Sequence, residues 1–251
     1  MEKYYSINKN GSSIRCKLYC VDPTDISAVV VFGHGFSGHK DNRSAEKLAA
    51  KMQKRHRQTA LIVFNWPCHG DDASAKLTLD GCLRYLDTVI ADTKERFGTE
   101  CLYGCATSFG AYLFLNYIHA YGNPFQSLAL RCPAVPMYDV LTQAIIREDD
   151  LDRILRGKPV LVGFDRQVKV TKDFLAELQA ADLFRMDFRP FAENTVIIHG
   201  TKDEIFPFAA AEAFAKQNGI PFFPVEAADH RFSDPKKMDE AMEIMLEAFA
   251  L

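Results

Sequence analysis

A serine at a predicted strand-to-helix junction is the first residue whose surroundings suggest chemistry. Ser108 lies in the segment Ala106-Thr107-Ser108-Phe109-Gly110, between an apolar run and a helical pattern. Small residues two positions before and two positions after a serine are what a sharp elbow requires, because neighbouring strands approach closely there. Such an elbow holds the hydroxyl at a helix N-terminus, where developing negative charge is favoured. The segment predicts a nucleophilic serine, while the bare serine-before-helix pattern is also typical of an N-cap.

A serine hydroxyl needs a general base, and the base needs an acid that fixes its tautomer and stabilises its cation. Asp203 follows the apolar run at 195–199, and His230 lies in the loop after the apolar run at 222–226. Each of Ser108, Asp203 and His230 follows a predicted strand, so a parallel sheet would bring all three to one edge. The order Ser, Asp, His therefore predicts a catalytic triad.

A glycine-containing turn, Gly33-His34-Gly35-Phe36, directly follows another apolar run. It can aim one backbone N–H at the elbow, and the N–H of Phe109, the residue after the serine, can supply a second. Together these would form an oxyanion hole. An ordinary turn at a strand end is the other interpretation of the same residues.

Other histidines and carboxylates compete for these roles. His199 and His34 are alternative bases, and Glu204 and Asp229 are alternative acids. No group of residues has the HExxH type of metal spacing, and neither GxGxxG nor a P-loop signature occurs. We therefore expect no metal and no cofactor.

The elements that would position these residues alternate along the chain. Strands are predicted at 2–7, 14–21, 28–33, 59–65, 101–106, 127–132, 195–199 and 222–226. Helices are predicted from about 43 to 58, over 79–97, 109–121 and 209–217, and from 233 or 234 to the end. This alternation indicates a mainly parallel sheet flanked by helices in a single domain, 1–251. The irregular stretch at 134–190 is predicted to be a small cap insertion over the carboxyl edge of the sheet.

Composition excludes several classes of function. The 251 residues include 30 Lys and Arg and 33 Asp and Glu, which gives a net charge of -3. This charge gives no reason to expect nucleic acid or an anionic membrane as partner. The N-terminus has no apolar signal-peptide core, and the longest apolar run is too short to span a membrane. Seven cysteines without a CxxC pair predict buried thiols rather than disulfides or zinc. A cytoplasmic location is expected.

Four motifs resemble those of the α/β-hydrolase superfamily: the serine elbow at 106–110, the turn at 33–36 and the segments that contain Asp203 and His230. The resemblance extends over residues 13–250. The HGF turn, the HGTKDEIFP stretch and the late Asp-His pair are similar to those of small-capped esterases, including cinnamoyl (feruloyl) esterases, and of serine aminopeptidase-like hydrolases. The resemblance implies an α/β-hydrolase fold, Ser108 as nucleophile, His230 as base and Asp203 as acid. It also implies the backbone N–H groups of Phe36 and Phe109 as oxyanion donors.

The chain departs from the family pattern at two places. Ala106 and Thr107 stand where the family usually has glycine and histidine, so the elbow is expected to be tighter and the efficiency of the serine to be affected. The segment at 65–70 occupies the position of the family's RGHG-type loop but has no arginine.

The function implied is hydrolysis of a small-molecule carboxylic ester through an acyl-enzyme. A small or aryl acyl group is expected, because Phe36, Phe109 and the cap offer apolar walls. One alternative is an exopeptidase or amidase, which would need the acidic cap residues Glu148, Asp149 or Asp150 to face the pocket. The other alternative is a non-catalytic binding protein with the same fold.

Overall fold

An eight-stranded sheet forms the centre of the protein. The computed structural model describes residues 1–9, 11–73, 75–164 and 166–250. The strands of the sheet lie in the order β1-β2-β4-β3-β5-β6-β9-β10. Their bounds are β1 Glu2–Lys9, β2 Ser12–Tyr19, β3 Ala28–Gly33, β4 Thr59–Phe64, β5 Leu102–Thr107, β6 Ser127–Arg131, β9 Thr195–Gly200 and β10 Phe222–Val225.

Strand direction follows the hydrophobic pattern. Strands β4, β3, β5, β6, β9 and β10 are parallel neighbours, whereas β1 and β2 add to one edge in antiparallel pairing. Every residue of β3, β4 and β5 is buried, as expected for strands covered by helices on both faces. The predicted mainly parallel α/β sheet is confirmed, and each predicted strand agrees with the structure to within about two residues.

Helices cover both faces of the sheet. Residues of α2, α3 and α7 join one apolar cluster with Val29 and Val31, and residues of α1 and α8 join a second cluster with Val30 and Phe32. Successive residues of β3 thus point to opposite helical layers. The helices are α1 Arg43–Arg55, α2 Leu79–Phe97, α3 Phe109–Tyr121, α4 Met137–Val140, α5 Glu148–Leu155, α6 Lys172–Ala180, α7 Phe208–Asn218 and α8 Pro235–Ala248.

Local capping explains where the long helices begin and end. The Asn42 side chain accepts a hydrogen bond from the Ala45 N–H at 3.0 Å and so starts α1. Gly98 ends α2 with a φ of 61°, the left-handed conformation that glycine adopts most easily. Asp234 caps α8, and Pro235 occupies its first turn.

The segment at 134–190 contains most of the irregular structure. It holds α4, a π-helix at Leu141–Ile145, α5, the antiparallel strands β7 Val160–Val162 and β8 Val168–Val170, and α6. Two of its residues, Ile145 and Phe164, line the cavity that contains Ser108. The assignment of this segment as a cap on a single domain stays a prediction.

All seven cysteines are free thiols, and six of them are buried. They contribute to the apolar clusters, as Cys16, Cys20 and Cys105 illustrate. Within the described ranges, no helix is long and apolar enough to cross a membrane. The cytoplasmic location stays a prediction.

Candidate active site

Ser108 lies in a strained turn between β5 and α3. Its backbone has φ 57° and ψ -121°, a conformation that non-glycine residues rarely adopt. The turn is tight enough that a Cβ at Gly110 would collide with the carbonyl oxygen of Gly33, which explains the glycine at this position. Ala106 is fully buried on the strand beside Gly33. The elbow therefore forms with alanine in the position where the family usually has glycine.

Three predicted side chains meet at this elbow. The Nε2 atom of His230 lies 3.1 Å from Ser108 Oγ, and its Nδ1 atom lies 2.8 Å from Asp203 Oδ2. Asp203 and His230 come from the loops after β9 and β10, so the carboxyl edge of the parallel sheet brings the three residues together. This geometry would let His230 accept the proton of Ser108 while Asp203 holds the Nδ1–H tautomer.

Asp203 is held as a carboxylate by several donors. Its Oδ1 atom accepts hydrogen bonds from the N–H groups of Ile205 and Phe206, at 2.9 and 2.8 Å. Burial opposes ionisation, but the hydrogen bonds from His199 and His230 outweigh it and hold the pKa of the Asp203 carboxyl well below its usual range. The negative charge needed beside His230 is therefore present at neutral pH.

The alternative residues occupy supporting positions. The His199 ring is fully buried, and its Nε2 atom lies 3.2 Å from Asp203 Oδ2 and 3.2 Å from the Phe206 carbonyl oxygen. Glu204 accepts a hydrogen bond from the backbone N–H of His230 at 3.1 Å. Asp229 accepts one from the N–H of Ser233. The imidazole of His34 is buried below the turn, where its Nδ1 donates to the Gly35 carbonyl.

The turn that follows β3 lies against the elbow. A Cβ built on Gly35 would be 3.2 Å from Ser108 Cβ, and the indole N–H of Trp66 fixes the turn by donating to the His34 carbonyl at 2.8 Å. In the part of the chain that the structure describes, no acceptor pairs with the amide N–H of Phe36 or Phe109. Two unpaired N–H groups beside a nucleophile are the requirement for an oxyanion hole.

A cavity of about 630 Å³ opens at Ser108 and His230. Its apolar wall includes Phe36, Ile145, Phe164, Ile205 and Phe206. The Phe109 ring does not belong to this wall, contrary to expectation. It is fully buried and stacks between the rings of His69 and Tyr112. Phe109 is not among the residues that line the cavity, so its expected role rests on the unpaired N–H that directly follows Ser108.

Cys132, Asp203 and His230 place potential metal-binding atoms within 4.8 Å of one another. No other such group occurs among the described residues. Burial, followed by the nearby Asp203 carboxylate, raises the pKa of the Cys132 thiol well above its usual value, so the sulfur is held as a thiol rather than as a metal-binding thiolate. Asp203 and His230 already bond to each other. The expectation of no metal stays a prediction.

Arg131 is the residue that the sequence pattern did not single out. It ends β6, is 6% exposed and lines the cavity. The Ser108 N–H donates to its carbonyl at 2.9 Å, so its backbone is a direct neighbour of the serine. The sequence does show a charged residue directly after the apolar run Leu128-Ala129-Leu130, and this feature could have indicated Arg131 as a residue of the site.

Two buried histidines, His34 in the turn that follows β3 and His69 beside it, predict acid sensitivity. Burial lowers the pKa of His69 to about 4 and that of His34 well below its usual value. In the unfolded chain these histidines have a pKa of about 6.5, so they bind protons at pH values at which they remain neutral in the folded protein. These histidines therefore do not lower the free energy of unfolding above about pH 6.5, but they lower it as the pH drops towards 4. For His69 alone the decrease is about 3 kcal/mol, at 1.36 kcal/mol per pKa unit.

Urea unfolding between pH 4 and 7.5 measures this effect. In His69→Gln, whose amide can still donate to the Pro67 carbonyl that His69 Nδ1 contacts at 2.9 Å, the free energy of unfolding should depend less steeply on pH. The expected reduction in slope is up to about 1.4 kcal/mol per pH unit. Parallel curves for the two proteins would contradict the assignment of His69 as a buried neutral imidazole.

Comparison with known proteins gives a consistent assignment of fold. Residues 30–241 match the pattern of the Alpha/beta hydrolase family. The structure resembles Est1E from Butyrivibrio proteoclasticus, solved with ferulic acid bound, at a TM-score of 0.76 and 19% identity, covering 98% of this chain and 100% of that one. It also resembles alpha/beta hydrolase domain-containing protein 10 from mouse, at a TM-score of 0.74 and 15% identity, covering 98% and 97% of the two chains.

A serine hydrolase homologue from Coxiella burnetii is similar at a TM-score of 0.63 and 15% identity, with 98% of this chain and 96% of that one covered. No curated protein sequence matches the chain. At these identities the solved structures establish the fold and leave the substrate open.

Proposed function

Since the chain belongs to the alpha/beta hydrolase family, we propose that it is a serine hydrolase that cleaves carboxylic esters of small acyl or aryl groups. The observation that carries the proposal is the continuous contact Ser108–His230–Asp203, with separations of 3.1 and 2.8 Å. This arrangement is the one by which an imidazole activates a serine hydroxyl.

The proposed reaction has two halves. Ser108 Oγ attacks the ester carbonyl while His230 Nε2 accepts its proton, and the tetrahedral oxyanion is bound by the N–H groups of Phe36 and Phe109. His230 then protonates the leaving alcohol, which leaves an acyl group on Ser108. Water, deprotonated by His230, attacks this acyl-enzyme and releases the acid.

The carboxylate of Asp203 stabilises the imidazolium that forms in each half. Because two backbone N–H groups fix Asp203 Oδ1, its Oδ2 atom is held toward Nδ1 of His230 before substrate binds. The Asp203 carboxylate is thus already placed to stabilise the His230 imidazolium, and little rearrangement is needed during the reaction.

The apolar wall of the cavity supports a compact or planar acyl group. Phe36, Ile205 and Phe206 flank the serine, while Phe164 and Ile145 come from the segment at 134–190. Est1E, a protein of similar fold, was solved with the aryl acid ferulic acid bound. An aryl ester is therefore included in the proposal.

Rates on methyl esters of acetic, butyric, octanoic and cinnamic acids test the acyl preference. We expect kcat/KM for the butyrate and cinnamate esters to exceed that for the octanoate ester by about tenfold or more, because the aromatic wall of Phe36, Phe164 and Phe206 would pack most closely against a short or flat group. Ser108→Ala supplies the background rate. A clear preference for octanoate would contradict the proposed substrate class.

The exopeptidase alternative gains no support from the positions of the acidic residues. Glu148, Asp149 and Asp150 do not line the cavity, and Asp150 is paired with Arg147 and Arg153 instead. An amine-binding carboxylate for an aminopeptidase reaction is therefore absent from the described walls of the cavity. Turnover of alanine 4-nitroanilide at a rate comparable to that of esters would favour this alternative over ester hydrolysis.

A further inference from the structure

The active-site cavity extends into a crevice between α1 and α8. This crevice is walled by Arg43 and Lys47 of α1, by Arg131 at the end of β6, and by Pro235 and Met238 of α8. Alternate residues of β5 and β6 face α1 and α8, which places Thr107 and the Arg131 side chain on this side of the sheet. The crevice is thus part of the same cavity as the serine and lies on the side of the sheet that α1 and α8 cover.

The charged side chains that line this cavity are basic. Arg43, Lys47 and Arg131 line it, and no acidic side chain among residues 1–9, 11–73, 75–164 and 166–250 does so. The 13-residue helix α1 begins at its wall, and a helix N-terminus favours an anion, whereas the N-terminus of α8 is already capped by the Asp234 carboxylate. A cavity of this kind attracts negatively charged ligands.

Arg131 supplies an independent reason to expect a ligand. Arg131 is 94% buried as a whole residue, yet among the described residues it forms no ion pair, and its Nε–H has no hydrogen-bond partner there. Among the described residues, the hydrogen-bond contact of this side chain is from Nη1 to the sulfur of Met238 at 2.9 Å, and sulfur is a weak acceptor. The guanidinium also lies 5.1 Å from the centre of the Phe232 ring, which compensates part of its charge.

The neighbouring carboxylates do not neutralise this cation directly. Burial lowers the pKa of the Arg131 guanidinium, and Asp229 and Asp203 oppose that change only in part. Asp203 is occupied by His230 and by backbone N–H groups, and Asp229 caps the N–H of Ser233. A buried guanidinium without an anionic partner is costly, and because Arg131 lines the cavity, an anionic ligand there would offset that cost.

We propose that the substrate is an ester that carries a carboxylate, and that Arg131 binds this carboxylate in the crevice while Arg43 and Lys47 attract it at the entrance. A carboxylate fits better than a phosphate, because one buried guanidinium matches a single charge in bidentate geometry. The inference deepens the proposed function and rests on it for the reaction, although not for binding.

Matched ester pairs test the preference. Monomethyl adipate is compared with methyl hexanoate for a carboxylate on the acyl side, and 6-acetoxyhexanoate with hexyl acetate for one on the alcohol side. We expect the charged member of at least one pair to have the higher kcat/KM, by about 30-fold, as a charge-assisted hydrogen bond would give. Equal rates within both pairs, with active enzyme, would overturn the carboxylate site and leave ester hydrolysis standing.

Variants then assign the preference to particular residues. Arg131→Met should lower the ratio of kcat/KM for the charged ester to kcat/KM for its neutral partner to about one. Because it removes a buried cation that lacks an anionic partner, it should also leave thermal stability unchanged or raise it, whereas a purely structural arginine would lose stability. A stable Arg131→Met that retains the full preference would overturn the proposal.

The entrance residues provide a test that does not alter the core. Lys47→Gln and Arg43→Gln should each lower kcat/KM for the charged ester by about threefold, more at low than at high ionic strength. Lys54→Gln, at the other end of α1 and outside the cavity, is the matched control and should have no effect.

Binding to Ser108→Ala separates the two proposals. Calorimetry should detect monomethyl adipate with an affinity that Arg131→Met removes, and adipate should compete more strongly than inorganic phosphate. If no ester is hydrolysed but this Arg131-dependent binding persists, the hydrolase proposal fails and the anion site stands. Phosphate binding tighter than adipate would contradict the choice of a carboxylate.

Discussion

Ser108→Ala is expected to lower kcat for ester hydrolysis by at least about 10⁴-fold, with little change in KM. The Ser108 hydroxyl is the proposed nucleophile, because it lies 3.1 Å from His230 Nε2 and lines the cavity. The loss should appear in kcat, since the walls that bind substrate remain unchanged. Steady-state rates on methyl butyrate measure it.

Ser127→Ala is the matched control for this substitution. Ser127 begins β6, a neighbour of β5, at the opposite end of the sheet from the site. Its replacement should leave kcat within about twofold, as surface substitutions away from the site usually do. Activity of Ser108→Ala within tenfold of the natural protein would refute the role of Ser108 as nucleophile.

Asp203→Asn is the second large effect, with an expected loss of about 10⁴-fold in kcat at neutral pH. The asparagine oxygen can still accept from the N–H groups of Ile205 and Phe206, which leaves its NH₂ group facing His230. That group donates to Nδ1, so the proton of His230 moves to Nε2. An imidazole with Nε2 protonated cannot accept the proton of Ser108.

Asp229→Asn is a demanding control, because it makes the same chemical change one residue before His230. Asp229 Oδ1 accepts from the Ser233 N–H at 2.7 Å, and an asparagine oxygen can do the same. We expect kcat to stay within about threefold of the natural value. The reverse ranking, with Asp229→Asn as the severely impaired variant, would assign the acid to Asp229.

Strand and helix patterns predicted the scaffold of the site because the strands are buried on both faces. All residues of β3, β4 and β5 are apolar or small and fully covered, so their sequence runs stand out without an alternation of polar residues. The same scaffold predicted that Ser108, Asp203 and His230 would lie close together, since residues that follow parallel strands share one edge of the sheet.

The parts that could not be predicted depend on contacts between distant segments. The Phe109 ring was expected at the wall but lies between His69 and Tyr112, a packing that no local pattern reveals. The Arg131 crevice arises only when α1 and α8, far apart in sequence, pack on the same face of the sheet. The π-helix at Leu141–Ile145 lies in a segment without a clear hydrophobic period.

Reaction with a fluorophosphonate probe tests the central claim most directly. The probe phosphonylates a serine only where the hydroxyl is activated and its oxyanion is bound, and mass spectrometry of the peptides identifies the modified residue. We predict one label, on Ser108, absent from Ser108→Ala and retained in Ser127→Ala. Folded protein that remains unlabelled, or that is labelled at another serine, would contradict the account and favour a binding protein with a hydrolase fold.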